Sequence, residues 1–340
     1  MVVNTTYNMD CLDAAKILPD QSVDCIVTSP PYYGLRDYGV SGQIGLEETP
    51  EQYIAKLVRL FHELRRVLKD RGTVWINIGD SYAGSNKGAW KNKSAQKEIY
   101  VPDPGSPNIK MPSKWDGYKP KDLIGIPWML ALALRADGWY LRQDIIWSKP
   151  NPMPESVTDR CTKAHEYIFL LSKSAKYYFD ADAIKQPAKQ STIARIAQDV
   201  EHQAGSARTL KTNGRMKAVI GGRKRQQQNN ILASTDPMYR NNTHREYEYT
   251  KYANKRSVWE VATTPFRDAH FAVFPEKLIT DCIKAGCPEG GIVLDPFSGS
   301  GTTRIVANKL NRNAIGFELN PEYIAIEEQR RRKELGIFNI

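Results

Sequence analysis

The apolar positions of the chain follow two spacings, one typical of buried strands and one typical of amphipathic helices. Short runs rich in β-branched and apolar residues predict six strands, over residues 22–29, 71–79, 140–149, 165–173, 290–297 and 312–319. Several of these runs are apolar at successive positions, as strands are when helices cover both faces of a sheet. The pattern therefore predicts an α/β fold.

Helices are predicted between the strands, and the clearest covers residues 50–69. Its apolar residues recur at helical spacing and would share one face: Tyr53, Leu57, Leu60, Leu64 and Leu68. Thr49 is a typical N-cap residue, and Pro50 suits the first helical position. The same spacing predicts helices over 122–136, 275–285, 302–310 and 321–335.

Two polar segments interrupt this alternation. Residues 83–121 are rich in Lys, Gly, Asn and Pro and are predicted to form a long loop, either a clamp or a plain connection. Residues 185–256 hold 15 Lys and Arg against 5 Asp and Glu, a surplus of 10 that equals the net charge of all 340 residues. Such a segment either binds a polyanion or is a solvated insert. We therefore expect three parts, residues 1–184, an insert over 185–256, and residues 257–340.

The cysteines and histidines give no sign of a metal site. The five cysteines are scattered, without a Cys-x-x-Cys pair or a histidine at metal-ligand spacing. No apolar run approaches the roughly 18 residues that a membrane-crossing helix needs, and the amino terminus lacks a signal-peptide pattern. We expect a cytoplasmic protein with reduced thiols, no bound metal and no membrane partner.

The fifth predicted strand runs into a glycine-rich turn, GGIVLDPFSGSGTT. The close backbone approach that Gly299 and Gly301 allow, at the start of a helix, suits a polar ligand. A phosphate loop would need Lys after Gly301, and a dinucleotide site would need a third glycine where Arg304 stands. Asp295 and Glu318 instead suit a ligand with a cationic group and a ribose, whose hydroxyls Glu318 would bind. The other interpretation is a tight turn without a ligand.

The first predicted strand ends in a rigid, aromatic corner, TSPPYYGLRDYG, where a helix would usually begin. Proline lacks an N–H and fixes φ, so Pro30 and Pro31 hold backbone carbonyls in a preset direction. The corner either presents these oxygens and the Tyr32 ring to a ligand, or is a proline-stiffened turn over an aromatic core. Two roles are likewise open for Tyr33, Arg36 and Tyr38: these residues either line the same site or pack beneath it.

Together, TSPPY at 28–32 and DPFSGSGTT at 295–303 closely resemble two motifs of the DNA amino-methyltransferases that use S-adenosylmethionine. Their order, with the catalytic motif before the cofactor motif, is that of the β arrangement. The resemblance continues through YNMDCLDAAKILPDQSVDCIV, GTVWINIGDSY, DIIWSKPNPMPES, HFAVFPEKLI and GFELNPEYIAIEEQRR. It leaves only the long loop and the basic segment unmatched.

The resemblance implies a Rossmann-like, seven-stranded sheet with one antiparallel strand and a circularly permuted motif order. The TSPPY strand should lie beside the DPFSGSG strand, and the terminal strand before Asn8 beside the Glu318 strand. Asp10 should lie near the cofactor adenine, Glu318 on its ribose, and Phe297 with the glycine turn around its methionine portion. The implied cofactor-binding residues are Asp10, Cys11, Thr28, Asp295, Pro296, Phe297, Ser298, Gly299, Gly301, Thr302, Glu318 and Asn320.

The implied catalytic residues are Ser29, Pro30, Pro31 and Tyr32. An exocyclic amine of cytosine or adenine is a poor nucleophile, because its lone pair is delocalised into the ring. Two acceptors, Ser29 Oγ and the Pro30 carbonyl, would localise that lone pair, and Tyr32 would stack on a base extruded from the duplex. Members with Ser before the two prolines are more often cytosine-N4 enzymes, so the resemblance favours cytosine N4 over adenine N6.

Double-stranded DNA is the implied substrate, and the basic segment would be its target-recognition region. The implied DNA-binding residues are Arg208, Lys211, Arg215, Lys217, Arg223, Lys224, Arg225, Arg240 and Arg245. A cognate restriction endonuclease and a homodimer stay open as partners. Rival functions are an RNA methyltransferase, a DNA-binding module without activity, and a nicotinamide oxidoreductase. The intact motifs disfavour the inactive module, and the missing third glycine disfavours the oxidoreductase.

Overall fold

Strands and helices alternate along most of the computed structural model, which describes residues 2–84, 117–191, 252–263 and 274–336. The strands are β1 (Thr5–Asn8), β2 (Val23–Thr28), β3 (Leu68–Ile78), β4 (Tyr140–Ser148), β5 (His165–Ser172), β6 (Gln186–Pro187), β7 (Tyr252–Ala253), β8 (Val258–Glu260), β9 (Ile292–Asp295) and β10 (Asn313–Glu318). The helices in these residues are α1 (Cys11–Ile17), α2 (Pro50–Val67), α3 (Ile126–Ala136), α4 (Glu276–Gly286), α5 (Thr302–Lys309) and α6 (Pro321–Leu335).

Eight strands form one sheet in the order β1-β10-β9-β2-β3-β5-β4-β8. β5 pairs antiparallel with both of its neighbours, whereas the other neighbouring pairs are parallel. The predicted α/β, Rossmann-like fold with one antiparallel strand is therefore confirmed. The sheet has one strand more than the seven predicted, because the short β8 extends its edge beside β4.

Strands from the two ends of the chain pair with each other in this sheet, as the permuted motif order predicted. β2 pairs with β9 through Cys25↔Val293 and Ile26↔Leu294. β1 pairs with β10 up to Asn8↔Glu318. Both predicted neighbours are confirmed. Because parallel strands end at the same edge, the segments that follow β1, β2, β9 and β10 converge there.

Helices pack on both faces of the sheet. Alternate residues of β2 point to opposite sides, so Ile26 joins the core with α2, whereas Cys25 faces Gly286 at the end of α4. The predicted Thr49 cap of α2 is confirmed, because its hydroxyl accepts from the Gln52 N–H at 3.3 Å. The prediction was wrong at the other end of this helix, since Leu68 already begins β3.

Two further helices differ from the prediction. α3 begins at Ile126 rather than residue 122, because Asp80 accepts hydrogen bonds from the N–H groups of Gly125 and Ile126, each at 3.0 Å. α1 was not predicted. It is capped by Asp10, whose side chain accepts from the N–H of Leu12 at 2.9 Å.

The chain divides into two compact units, residues 1–183 with 256–340, and residues 184–255. The eight-stranded sheet belongs to the first unit. In the second unit, β6 pairs antiparallel with β7. Residues 85–116 of the predicted long loop and 192–251 of the basic insert lie outside the described residues.

Candidate active site

The corner after β2 is held by hydrogen bonds from outside it. The hydroxyl of Tyr53, in α2, donates to the carbonyl of Pro31 at 2.8 Å. The N–H of Gly34 donates to the carbonyl of Gly45 at 2.8 Å and closes the loop that follows. These contacts fix the backbone that presents Ser29, which is half-buried at the end of the strand.

The hydroxyl of Tyr32 reaches two neighbouring strands. It donates to Glu166 Oε2 in β5 at 2.6 Å and lies 3.2 Å from Asn77 Oδ1 in β3. Burial raises the pKa of Tyr32 well above its ordinary value, and the Glu166 charge raises it further, while a side-chain hydrogen bond with Ser29 lowers it. The hydroxyl therefore keeps its proton at neutral pH.

A direct hydrogen bond joins the corner to the glycine-rich turn. Thr28 Oγ1, at the end of β2, donates to Asp295 Oδ1, at the end of β9, at 2.6 Å. Asp295 also accepts from Thr303 Oγ1 at 2.6 Å and from the Phe297 N–H at 3.0 Å. Burial raises the pKa of Asp295 to about 6, although these three donors lower it. Asp295 therefore lies beneath the turn and organises it.

The glycine-rich turn curls back towards β10. The N–H of Ser298 donates to the carbonyl of Phe317 at 2.9 Å, and the N–H of Gly301 donates to the carbonyl of Ser298 at 2.9 Å. Gly299 and Gly301 have φ of +53° and +77°, in the left-handed region that favours glycine. An added Cβ on Gly299 would meet nothing within 4 Å, so open space lies over this part of the turn.

Glu318 borders the same turn from the end of β10. Its Oε2 accepts from the Gly299 N–H at 2.8 Å, and its Oε1 accepts from the Asn320 N–H at 2.8 Å. Burial raises the pKa of Glu318, and these two N–H groups act in the opposite direction. Each carboxylate oxygen has a second lone pair, so Glu318 can accept further hydrogen bonds from a ligand.

A buried network that the sequence did not reveal supports the turn from below. Arg304 Nη1 lies 3.2 Å from Glu327 Oε1, and their side chains are 3% and 0% exposed. Thr6 Oγ1 donates to the same Glu327 oxygen at 2.8 Å. Arg330 donates to the carbonyl of Ser300 at 2.7 Å. Arg304, where a dinucleotide site would need glycine, thus ties the turn to α6.

The remaining predicted cofactor residues surround the turn or cap helices. Asn320 caps α6, since its Oδ1 accepts from the Glu322 N–H at 2.9 Å. Thr302 Oγ1 accepts from Arg330 at 3.0 Å. Asp10 caps α1, and burial raises the pKa of the adjoining Cys11 to about 12. Pro296 and Ser298 are buried in the turn, and Phe297 is half-buried.

The aromatic residues after the corner divide between the core and the turn. Tyr33 is 2% exposed, and its ring centre lies 5.4 Å from that of Tyr53 in the core. Tyr38 packs against Tyr323 of α6, with ring centres 6.1 Å apart. Burial raises the pKa of both Tyr38 and Tyr323, Glu318 raises both further, and Arg36 lowers them, so these groups lie near the Glu318 carboxylate.

Neither a metal-binding cluster nor a membrane-spanning helix occurs in the described ranges. These ranges contain no group of three or more His, Cys, Asp or Glu residues that could hold a metal ion. None of the helices found there is long and apolar enough to cross a membrane. The predicted DNA-binding residues, from Arg208 to Arg245, lie outside the described residues, and their role stays a prediction.

Comparisons with known proteins agree with the predicted family. A family model described as DNA methylase matches residues 23–329. The chain is 42% identical over 333 residues to the type II methyltransferase M.Cfr9I of Citrobacter freundii, covering 97% of this chain and 88% of that protein. It is also 42% identical over 321 residues to the type II methyltransferase M.SmaI of Serratia marcescens, covering 94% of this chain and 88% of that protein.

A solved structure shares the fold. The PvuII DNA methyltransferase, described as cytosine-N4-specific, has a TM-score of 0.59 and 17% sequence identity, covering 98% of this chain and 91% of that one. The predicted family and its methyl donor are confirmed. The chain belongs to the DNA methylase family, the amino-methyltransferases that transfer a methyl group from S-adenosylmethionine to DNA.

Proposed function

We propose that the chain methylates the exocyclic N4 amine of cytosine in double-stranded DNA. The observation that carries the proposal is the 2.6 Å hydrogen bond between Thr28 and Asp295. It joins the last residues of β2 and β9, so the Ser29–Tyr32 corner and the glycine-rich turn begin side by side. One sheet edge can therefore hold a methyl donor and an acceptor amine within reach of each other.

The residues around the turn fit S-adenosylmethionine. Open space lies over Gly299, whose N–H donates to the Glu318 carboxylate, and the Asp295 carboxylate accepts from the Phe297 N–H beneath the turn. Carboxylates suit a sulfonium and ribose hydroxyls, whereas they would repel a pyrophosphate. Glu318 would accept hydrogen bonds from the ribose hydroxyls. Asp295 would hold the turn in the shape that binds the cofactor. When bound there, the cofactor supplies an electrophilic methyl group on its sulfonium.

The corner would supply the acceptors for the target amine. Ser29 Oγ and the Pro30 carbonyl would each accept a hydrogen bond from the NH2 group, which localises the nitrogen lone pair and directs it at the methyl carbon. No strong base is needed, because catalysis consists mainly of positioning. Tyr32 would stack on the target base after the base leaves the duplex.

The residue before the two prolines supports cytosine as the target. It is Ser29 in this chain, whereas adenine-N6 members more often have Asp or Asn there. The test is to incubate duplex DNA of mixed sequence with the protein and S-adenosylmethionine, and to identify methylated nucleosides by mass spectrometry. N4-methylcytosine is expected, and N6-methyladenine would show that the adenine alternative is correct. RNA in a parallel reaction is expected to take up no methyl group.

The basic insert is proposed to recognise the target sequence. Its charge surplus of 10 over residues 185–256 suits contact with phosphates. Deletion of residues 190–245 is expected to abolish DNA binding and to leave S-adenosylhomocysteine binding intact. Gel-shift and calorimetric titrations measure the two separately. Retained sequence-specific DNA binding in the deletion variant would contradict this role.

The two type II relatives support a restriction endonuclease as a functional partner. Methylation by this chain should then protect its recognition site from an endonuclease with the same target. The experiment is to sequence the methylated sites in treated DNA and to challenge that DNA with endonucleases that cut there. The homodimer stays a prediction, which light scattering at several protein concentrations would test.

A further inference from the structure

A partly buried ion pair lies beside the hydroxyl of Tyr32. Glu166 Oε2 accepts from that hydroxyl at 2.6 Å and from Asn77 Nδ2 at 3.2 Å, and Glu166 Oε1 pairs with Lys149 Nζ. The side chains of Glu166 and Lys149 are 13% and 18% exposed. These four residues, Tyr32, Asn77, Lys149 and Glu166, are called the Glu166 cluster below.

The cluster is assembled from strands that are distant in sequence. Asn77 lies near the end of β3, Glu166 near the start of the antiparallel β5, and Lys149 directly after β4. Glu166 is opposite Trp147 in the pairing of β4 with β5, and Lys149 Nζ lies 4.3 Å from the Trp147 ring centre. The sheet register therefore places a charged acceptor at the edge where the corner lies.

Stability alone is a weak reason for this ion pair. Taking two charges out of water is costly, and replacing a buried pair with apolar residues of similar volume often leaves folding stability unchanged. The pair has a geometric effect instead. It holds the Glu166 carboxylate at the tip of the Tyr32 ring, where a 2.6 Å hydrogen bond fixes the hydroxyl.

The rest of the Tyr32 ring is also constrained. A Cβ added to Gly79 would lie 2.7 Å from Cε2 and 3.1 Å from Cδ2 of Tyr32, so only glycine leaves room for the ring in this position. The ring is thus held by the corner at one end, by Glu166 at the other, and by Gly79 along one side. Its orientation is set before any base arrives.

We propose that Glu166, supported by Lys149 and Asn77, is a positioning residue for methyl transfer. It orients the Tyr32 ring so that the side away from Gly79 stacks on the extruded base. This inference rests on the proposed role of Tyr32. It explains why residue 32 is a tyrosine, whose hydroxyl binds Glu166. It also explains why an ion pair occupies a site where apolar residues would support folding equally well.

The test is a double-mutant cycle on the rate of a single turnover with saturating S-adenosylmethionine. Tyr32→Phe keeps the ring and removes the hydroxyl, and Glu166→Gln keeps the shape and removes the charge. Each single change is expected to lower the rate roughly 10- to 100-fold, as loss of a charge-assisted hydrogen bond does. Adding Tyr32→Phe to Glu166→Gln is expected to lower it by less than about 2-fold more, because both act through one contact.

Two controls separate positioning from a structural effect. Lys149→Met with Glu166→Met replaces the pair by apolar residues, and we expect a folded protein that binds S-adenosylhomocysteine as the wild type does but transfers methyl groups slowly. Glu155→Gln changes the carboxylate that Arg160 contacts at 2.6 Å in the same β4–β5 connection, and should leave the rate unchanged.

The positioning role is wrong if the rate reductions of Tyr32→Phe and Glu166→Gln multiply in the double variant. It is also wrong if Glu166→Gln alone has the wild-type rate. In either case a low rate for Tyr32→Ala would leave the proposed function of the corner intact. A wild-type rate for Tyr32→Ala would instead contradict the proposed function itself. The two failures are therefore distinguishable in one set of variants.

Discussion

Alanine substitutions at the two glycines of the turn should distinguish the position that packs on Glu327 from the position that faces the proposed cofactor space. In Gly301→Ala, the new Cβ would lie 2.1 Å from Glu327 Cγ and 2.4 Å from Cδ. Glu327 cannot easily move aside, because it is fully buried and is held by Arg304 at 3.2 Å and by Thr6 at 2.8 Å. In Gly299→Ala, the new Cβ would meet nothing within 4 Å.

The two substitutions should therefore differ in their cost. Both place alanine in the left-handed region, with φ of +77° at Gly301 and +53° at Gly299, which costs about 1–2 kcal/mol. Only Gly301→Ala adds overpacking, which typically costs about 1–3 kcal/mol more. We expect a loss of roughly 2–5 kcal/mol for Gly301→Ala, a large part of the 5–15 kcal/mol that stabilises an ordinary domain.

Urea unfolding and calorimetric titration with S-adenosylhomocysteine measure the two effects. Gly299→Ala should lose only about 1–2 kcal/mol of unfolding free energy, but its methyl group enters the space proposed for the cofactor, so binding should weaken at least 10-fold. Wild-type stability of Gly301→Ala would refute the packing argument. Cofactor binding of wild-type strength in Gly299→Ala would show that the ligand lies elsewhere.

Three further predictions concern the carboxylates and the corner. Asp295 has a pKa of about 6 in the fold against 3.8 ordinarily, so its stabilising contribution is present below about pH 4 and is lost as pH rises through 6. Asp295→Asn should remove this dependence, so its unfolding free energy relative to wild type should change by roughly 2 kcal/mol between pH 4 and pH 7 in urea titrations. A pH-independent difference would contradict this prediction. Glu318→Gln should weaken S-adenosylhomocysteine binding about 10-fold in calorimetry, with unchanged binding as the contrary result. Ser29→Ala should lower kcat about 100-fold at unchanged cofactor affinity, and a wild-type kcat would remove Ser29 from catalysis.

The apolar runs and the family resemblance together predicted the convergence of the two motifs and all of the sheet except its edge strand β8. Apolar runs marked β2 and β9, and the permuted motif order made them neighbours, because both motifs follow strands that must end at one edge. The prediction from sequence placed the start of α3 at residue 122, four residues before Ile126. The capping carboxylate, Asp80, is 46 positions before Ile126, so the cap cannot be found next to the helix, and Pro127 is the local signal for its start.

The contacts that support the site could not be predicted, because they join residues brought together only by the complete sheet. Glu166 meets Tyr32 across 134 positions, and Glu327 meets Thr6 across 321. In the sequence Glu166 stands at the start of the apolar run HEYIFLLS and Glu327 in the polar run EEQRRR, and neither run identifies its distant partner. Their roles follow from burial and from the register of neighbouring strands, which hydrophobic spacing does not encode.

The Ser29–Tyr32 corner and the glycine-rich turn are proposed to form one site for methylating cytosine N4. Its most direct test is nucleoside mass spectrometry of duplex DNA incubated with S-adenosylmethionine and either the wild-type protein or Tyr32→Ala. N4-methylcytosine is expected from the wild type, and at least about 100-fold less from the variant. N6-methyladenine as the product, or equal N4-methylcytosine from both proteins, would contradict it.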